Sequence, residues 1–197
     1  MPPTTPLRSG RQRALAAALA VLRRDGLEAM SMRAVAEEAG VTATALYRHF
    51  ADKDALIAEL VREAGALFRD YLGPALERTD PADRLLGILV AARSYALDEP
   101  RLYQLLFLTP LGRPRRYPEG FRTPGGDFGA AAEIVGEAMA AGVLREDDPV
   151  DVTRTLTSHL HGLLRLWLLD RFADRETFEA FTDASFTRIL AGLAPDR

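Results

Sequence analysis

The chain has 197 residues, with 25 Lys+Arg against 28 Asp+Glu and a formal charge of -3, which speaks against a protein held to a polyanion by bulk charge alone. Hydrophobic residues make up 48%, enough for a real core, and charged residues 27%, ordinary for a soluble protein. The lack of cysteine excludes disulfides, thiolate metal sites and cysteine nucleophiles. No uncharged apolar run approaches the ~18 residues that span a bilayer.

Residues 1–10 are rich in Pro and Thr and lack the apolar core of a secretory signal, so they read as a disordered arm on a cytoplasmic protein. A first helix is expected over 11–25, with Leu15, Leu19 and Leu22 on one stripe and Gly26 as its C-cap. Ser31 caps a short helix over 32–39 that Gly40 ends, and Thr42 caps a second over 43–50. Asp52 caps a long helix over 53–72, ended by Gly73-Pro74. The pattern D-P-x-D then occurs twice, at 80–83 and 148–151. It supplies an N-cap acceptor, a proline that gives up only an orphan donor, and an acid facing the helix dipole. Helices therefore start near 81, running to 97, and near 150, running to 172. Pro100 opens another over 100–108, stopped by Pro110. Residues 109–126 hold Pro110, Pro114, Pro118 and Pro124 among four glycines and read as a long loop. Helices over 127–141 and 175–191 complete an all-α fold of about nine helices without strand alternation or internal repeat.

The stretch 31–53 is the informative one. Val35, Ala36 and Ala39 face inward on its first short helix, and Leu46 and Phe50, spaced i and i+4, face inward on its second. Gly40 tolerates the left-handed backbone of the turn, and Ala36 is small enough for two helices to cross closely. Two such helices form a helix-turn-helix layout, whose second helix enters a DNA major groove. Thr42, Ala43, Thr44 and Ala45 are small, so that end of the helix can approach base edges. Tyr47, Arg48 and His49 are exposed if Leu46 and Phe50 are buried; each can donate to a phosphate, and Arg48 can reach a guanine edge. Lys53 opens the following helix, where a cation opposes the helix dipole and is better explained by a phosphate. It is the only lysine in the chain. On the pattern alone, a plain structural three-helix bundle stays open.

The string Leu46-Tyr47-Arg48-His49-Phe50, followed by Lys53 and Leu56 and preceded by Val35-Ala36-x-x-Ala39-Gly40-Val41-Thr42, resembles the signature of the TetR family of bacterial transcriptional regulators. The resemblance covers about 11–57. It implies a helix-turn-helix DNA-binding domain over 11–55 and a ligand-binding and dimerisation domain over 56–197. It also implies a homodimer on pseudo-palindromic double-stranded operator DNA, with repression relieved by a small, largely apolar effector. The family's DNA-contacting positions fall on Met32 or Arg33, Thr42, Ala43, Thr44, Tyr47, Arg48, His49 and Lys53. Ala43 departs from the longer polar side chains of relatives, which weakens inference about base preference. Residues 95–108, with Glu99-Pro100-x-Leu102-Tyr103-x-Leu105-x-Phe107, and His161-Gly162 are similar to one subgroup of TetR-type C-terminal domains.

In the C-terminal part, Val152, Leu156, Leu160, Leu163 and Trp167 form one apolar stripe, with Leu164 and Leu168 beside it. A helix apolar on two sides needs two covers. The last helix offers Phe178, Phe181, Ser185 and Ile189. The expected dimer interface is thus a four-helix arrangement using Leu156, Leu160, Leu163, Trp167, Phe178, Phe181, Ser185 and Ile189. Candidate effector-lining residues are Phe68, Tyr95, Tyr103, Phe107, Phe128 and His159, although aromatics at helical spacing are commonly plain core.

An enzyme is not expected. His159 and His161 lie two apart on a helix and face different ways, so no metal set is expected, and the phosphate-loop and nucleophile motifs are missing. No cofactor is implied. A helical interaction module that has lost DNA binding remains the rival reading, with the overall charge as its support. Residues 1–55, however, carry eight cations against six acids, and 56–197 carry seventeen against twenty-two. The acidic total hides a slightly basic N-terminal region.

Overall fold

A computed structural model of the chain describes residues 9–111 and 127–195. The expected arm lies outside the described residues except for Ser9 and Gly10, and the expected loop lies outside them over 112–126. Among the described residues the structure is helical, without strands. The contacts divide the chain into two compact units, one of residues 1–68 with 99–109 and the other of 69–98 with 110–197.

In the first unit, α1 (Gly10–Asp25) starts on Ser9, whose hydroxyl accepts from the Gln12 N–H while the Gln12 side chain accepts from the Ser9 N–H. Its buried stripe is Ala14, Leu15, Ala17, Ala18, Val21 and Leu22. Leu19, expected on that stripe, is only half-buried. Gly26 ends the helix at φ 81 and ψ 177, a backbone region open essentially to glycine alone. α2 (Met32–Glu38) and α3 (Ala43–Tyr47) follow, then α4 (Lys53–Leu76). Asp52 caps α4 through the Ala55 N–H at 2.7 Å. The helix does not stop at Gly73-Pro74: Pro74 lies inside its last turn. There its missing N–H removes one hydrogen bond, and the Gly73 carbonyl still accepts from Glu77.

α5 (Pro81–Asp98) belongs to the second unit, and α6 (Pro100–Tyr103) returns to the first, running on into a π-helical turn, Gln104–Leu108. α6 is fastened to the end of α1. The Arg23 guanidinium donates two hydrogen bonds to the Glu99 carboxylate, at 2.8 and 2.7 Å. Phe107 meets Phe68 edge-on at 5.1 Å and Tyr103 at 5.3 Å.

The second unit contains the end of α4 together with α5, α7 (Asp127–Ala140), α8 (Pro149–Leu168) and α9 (Arg175–Gly192). Both D-P-x-D caps form: Asp80 accepts from the Asp83 N–H, and Asp148 from the N–H groups of Val150 and Asp151. α8 packs against α5, α7 and α9. A buried arginine clamps α5 to α9. Arg93, 5% exposed, donates to the Glu179 carbonyl, the Thr182 hydroxyl and the Asp183 carboxylate. Asp98 accepts from both the Tyr71 hydroxyl and Arg175.

Half of the expected dimer residues are spent inside the chain. Leu156, Leu160, Leu163 and Phe178 are buried in the second unit, against the neighbours that already surround α8. Phe178 is stacked on Trp167 and meets Phe172 edge-on. The large apolar side chains left exposed on these two helices and just beyond α8 are Leu166, Leu169 and Phe181.

Candidate nucleic-acid interface

The helix-turn-helix is built by caps and one glycine. The Ser31 hydroxyl accepts from the Ala34 N–H at 3.1 Å and starts α2. The turn closes with the Gly40 N–H donating to the Glu37 carbonyl and the Val41 N–H to that of Ala36. Gly40 sits at φ 65, where a side chain is disfavoured by the backbone alone, since an added Cβ would meet nothing within 4 Å. The Thr42 hydroxyl then accepts from the Ala45 N–H at 3.2 Å and starts α3. α3 is shorter than the sequence suggests. After Tyr47 the Leu46 carbonyl accepts from both His49 and Phe50, which tightens the last turn and frees the chain for Asp52 to start α4.

Leu46 and Phe50 are buried, at 0% and 3% exposure. Thr42, Ala43, Thr44, Tyr47, Arg48 and His49 are consequently exposed, and Lys53 is half-buried at the start of α4. Of the pair Met32 or Arg33, only Arg33 is available. Met32 is buried in the core at the start of α2, because its side chain belongs to the apolar face that Val35 and Ala36 continue.

Apart from Arg101, which donates to Gln104, the described cations of the first unit fall into two groups. Arg11 pairs with the buried Glu59 at 2.7 Å and lies over the Phe50 ring; Arg62 pairs with the same carboxylate. Arg23 pairs with Glu99, and Arg24 with Asp25 and Glu38. Hydrogen bonds donated to Asp25 and then to Glu38 hold the Arg24 guanidinium above its usual range. Arg13, Arg33, Arg48 and Lys53 have neither an ion pair nor a hydrogen bond among the described residues. Three of these four are expected DNA contacts. The fourth, Arg13, was missed because its relation to α3 is long-range. It lines a cleft with Gly10, Val41, Arg48 and His49. Its spacing from Gly10, three residues on the edge of the buried stripe of α1, was the only local signal.

The candidate effector residues do not gather as a set. Phe68, Tyr103 and Phe107 cluster in the first unit, whereas Tyr95, Phe128 and His159 belong to the second. Tyr103 and Tyr95 are core side chains, 1% and 0% exposed, and burial pushes the Tyr103 phenol up. Tyr95 packs edge-on against Tyr71, and His159 shares a 2.9 Å hydrogen bond with Ser185. Among the described residues, no group of three or more His, Asp or Glu could hold a metal ion, and no helix is long and apolar enough to cross a membrane.

Known proteins agree with this architecture. Residues 14–60 match the family described as bacterial regulatory proteins, tetR family, and residues 85–193 match the tetracyclin repressor-like C-terminal domain. An uncharacterized HTH-type transcriptional regulator of Haemophilus influenzae is 41% identical over 61 residues, 31% of this chain and 30% of that one. An HTH-type transcriptional regulator of Mycobacterium bovis is 28% identical over 62% of this chain and 52% of its own. The chain thus spans from under a third to about half of the length of these curated relatives. A solved structure of a protein of unknown function from a Rhodococcus species is 26% identical, with a TM-score of 0.76 over 98% of this chain and 99% of that one. The TetR-family regulator PfmR of Thermus thermophilus is 23% identical, with a TM-score of 0.65 over 97% and 100%, and shares the fold. The C-terminal match alone covers more than half of the sequence, and the helix-turn-helix match precedes it: the chain belongs to the TetR family of bacterial regulatory proteins.

Proposed function

We propose that this regulator is a homodimeric DNA-binding repressor whose α3 enters one major groove per subunit of a pseudo-palindromic operator, and that a small-molecule effector releases it. One observation carries the reading. Arg33, Arg48 and Lys53 have no ion pair or hydrogen bond among the described residues, whereas Arg11, Arg23, Arg24 and Arg62 of the same unit are paired with carboxylates. Unpaired cations beside an exposed Tyr47 and a small-residue helix start make a surface suited to phosphates and base edges. The small Thr42, Ala43 and Thr44 allow close approach, while Tyr47 and His49 donate to the backbone and Arg48 to a base or phosphate.

The dimer would form on the apolar surface that the protomer core leaves over: Leu166 of α8 and Leu169 just beyond it with Phe181 of α9, flanked by Gly162 and the half-buried Trp167, Ser185 and Ile189. A two-fold dimer gives two recognition helices the symmetry that operator half-sites mirror. Release follows if the effector binds the DNA-incompetent state more tightly than the competent one. α4, which supplies both Lys53 and the Phe68 aromatic cluster, is the element through which that preference would reach the DNA.

The test is a gel-shift titration on a duplex recovered from a random pool by the wild-type protein. Tyr47→Ala and Arg48→Ala should each weaken binding by tenfold or more, roughly the discrimination of one good base or phosphate contact per subunit. Wild-type affinity in both variants would show that α3 is not the reading element.

A further inference from the structure

We infer that the cleft between the first turn of α1 and α3 receives a backbone phosphate of the DNA, held by Arg13 outside the contacts made by α3. The inference rests on the DNA-binding reading above and extends it to α1, which holds none of the expected DNA-contacting positions.

The cleft has a volume of about 140 Å³, and its walls include Gly10, Arg13, Ala39, Val41, Arg48 and His49. Among the described residues, no carboxylate lines it. Drug-sized ligands need a pocket of roughly 300 Å³ or more, so a group of phosphate size fits better than a whole effector. Arg13 and Arg48 line the cleft, and neither has an ion pair or hydrogen bond among the described residues. Arg11, two positions earlier, is turned away to Glu59 and Phe50. The first turn of α1 thus sorts its arginines, spending one on the fold and leaving one in the cleft. A guanidinium is the side chain suited to such an anion, because its fork donates two parallel N–H groups to phosphate oxygens.

The remaining walls suit a nucleic-acid backbone. Val41, 39% exposed, and Ala39 offer small apolar surface on which a deoxyribose can rest. His49 lies so close to Gly10 that a Cβ there would stand 2.7 Å from its Nε2. The imidazole, which also lines the cleft, can donate to the same anion.

Contacts of this kind fix position on the duplex without reading sequence. The test uses the full-length chain and its pool-selected duplex. Arg13→Gln keeps most of the stem, and because Arg13 is exposed and unpartnered among the described residues it should leave the melting temperature unchanged. It should weaken binding roughly tenfold or more, flatten the log K against log salt plot by about 1.8 for a dimer, and select the same motif as wild type. Duplexes carrying one neutral methylphosphonate at a time then locate the contact. At one position per half-site, wild type should lose what Arg13→Gln loses, and the variant should lose little more. Unchanged affinity and slope in Arg13→Gln, or additive losses at every position, would overturn the inference while leaving the α3 reading intact. Failure of wild type to bind any duplex would instead overturn that reading and this one together.

Discussion

Replacing Lys53 by Gln and Arg23 by Gln removes the same charge from the same compact unit, yet only the first should change how binding depends on salt. Arg13, Arg33, Arg48 and Lys53 are unpaired among the described residues, which gives eight such cations in a dimer. If each neutralises one phosphate, log K falls with log salt at a slope of about -7. A fourfold rise, from 50 to 200 mM, then weakens binding roughly ten-thousand-fold. Lys53→Gln takes two cations from the dimer and should flatten the slope by about 1.8. Arg23 is held by two hydrogen bonds to Glu99 and has no charge to spare. Its removal should leave the slope within error, and the partly exposed ion pair it breaks contributes only about 0.2–1 kcal/mol to stability. Fluorescence anisotropy of labelled duplex across a salt series measures both. Equal flattening in the two variants would refute the reasoning, because it would mean that paired and unpaired cations meet the DNA alike.

Three further outcomes are expected. Gly40→Ala should lower stability by about 1 kcal/mol through the left-handed backbone alone, with Gly40→Asn costing less, as read by urea denaturation. Leu166→Glu, on the exposed apolar surface of α8, should shift sedimentation from dimer to monomer, whereas a charge on the opposite, buried stripe should unfold the chain rather than dissociate it. Burial lowers the His161 imidazole below its ordinary value, so the unfolded chain takes up a proton first and stability falls as pH drops below about 6.5. His161→Gln should flatten that part of the pH–stability curve.

What was legible in the sequence was mainly local chemistry. Ser31, Thr42, Asp52, Asp80 and Asp148 cap the helices they were expected to cap, because an N-cap needs only one side-chain oxygen two or three residues from an orphan N–H. The inward Leu46 and Phe50 followed from spacing, and with them the exposure of Tyr47, Arg48 and His49. Pro74 shows the limit of breaker rules: in the last turn it costs little, and α4 runs past it. Periodicity identified the apolar residues of α8 and α9 but not their covers, so Leu156, Leu160 and Leu163 were given to a partner when the protomer core takes them. Met32 illustrates the same limit at the DNA-binding end, being apolar and placed by packing rather than by its family position. Arg13 and its cleft were hidden because residues distant in sequence build them.

The central claim is that α3 reads DNA as part of a two-fold dimer, and selection from a random duplex pool tests it most directly. The wild-type chain should enrich an inverted repeat whose half-sites lie about one helical turn, roughly 34–36 Å, or a multiple of it apart. The Arg48→Ala chain should lose enrichment at defined positions in both halves. No enrichment by wild type, or an identical motif recovered by Arg48→Ala and Tyr47→Ala, would contradict the account.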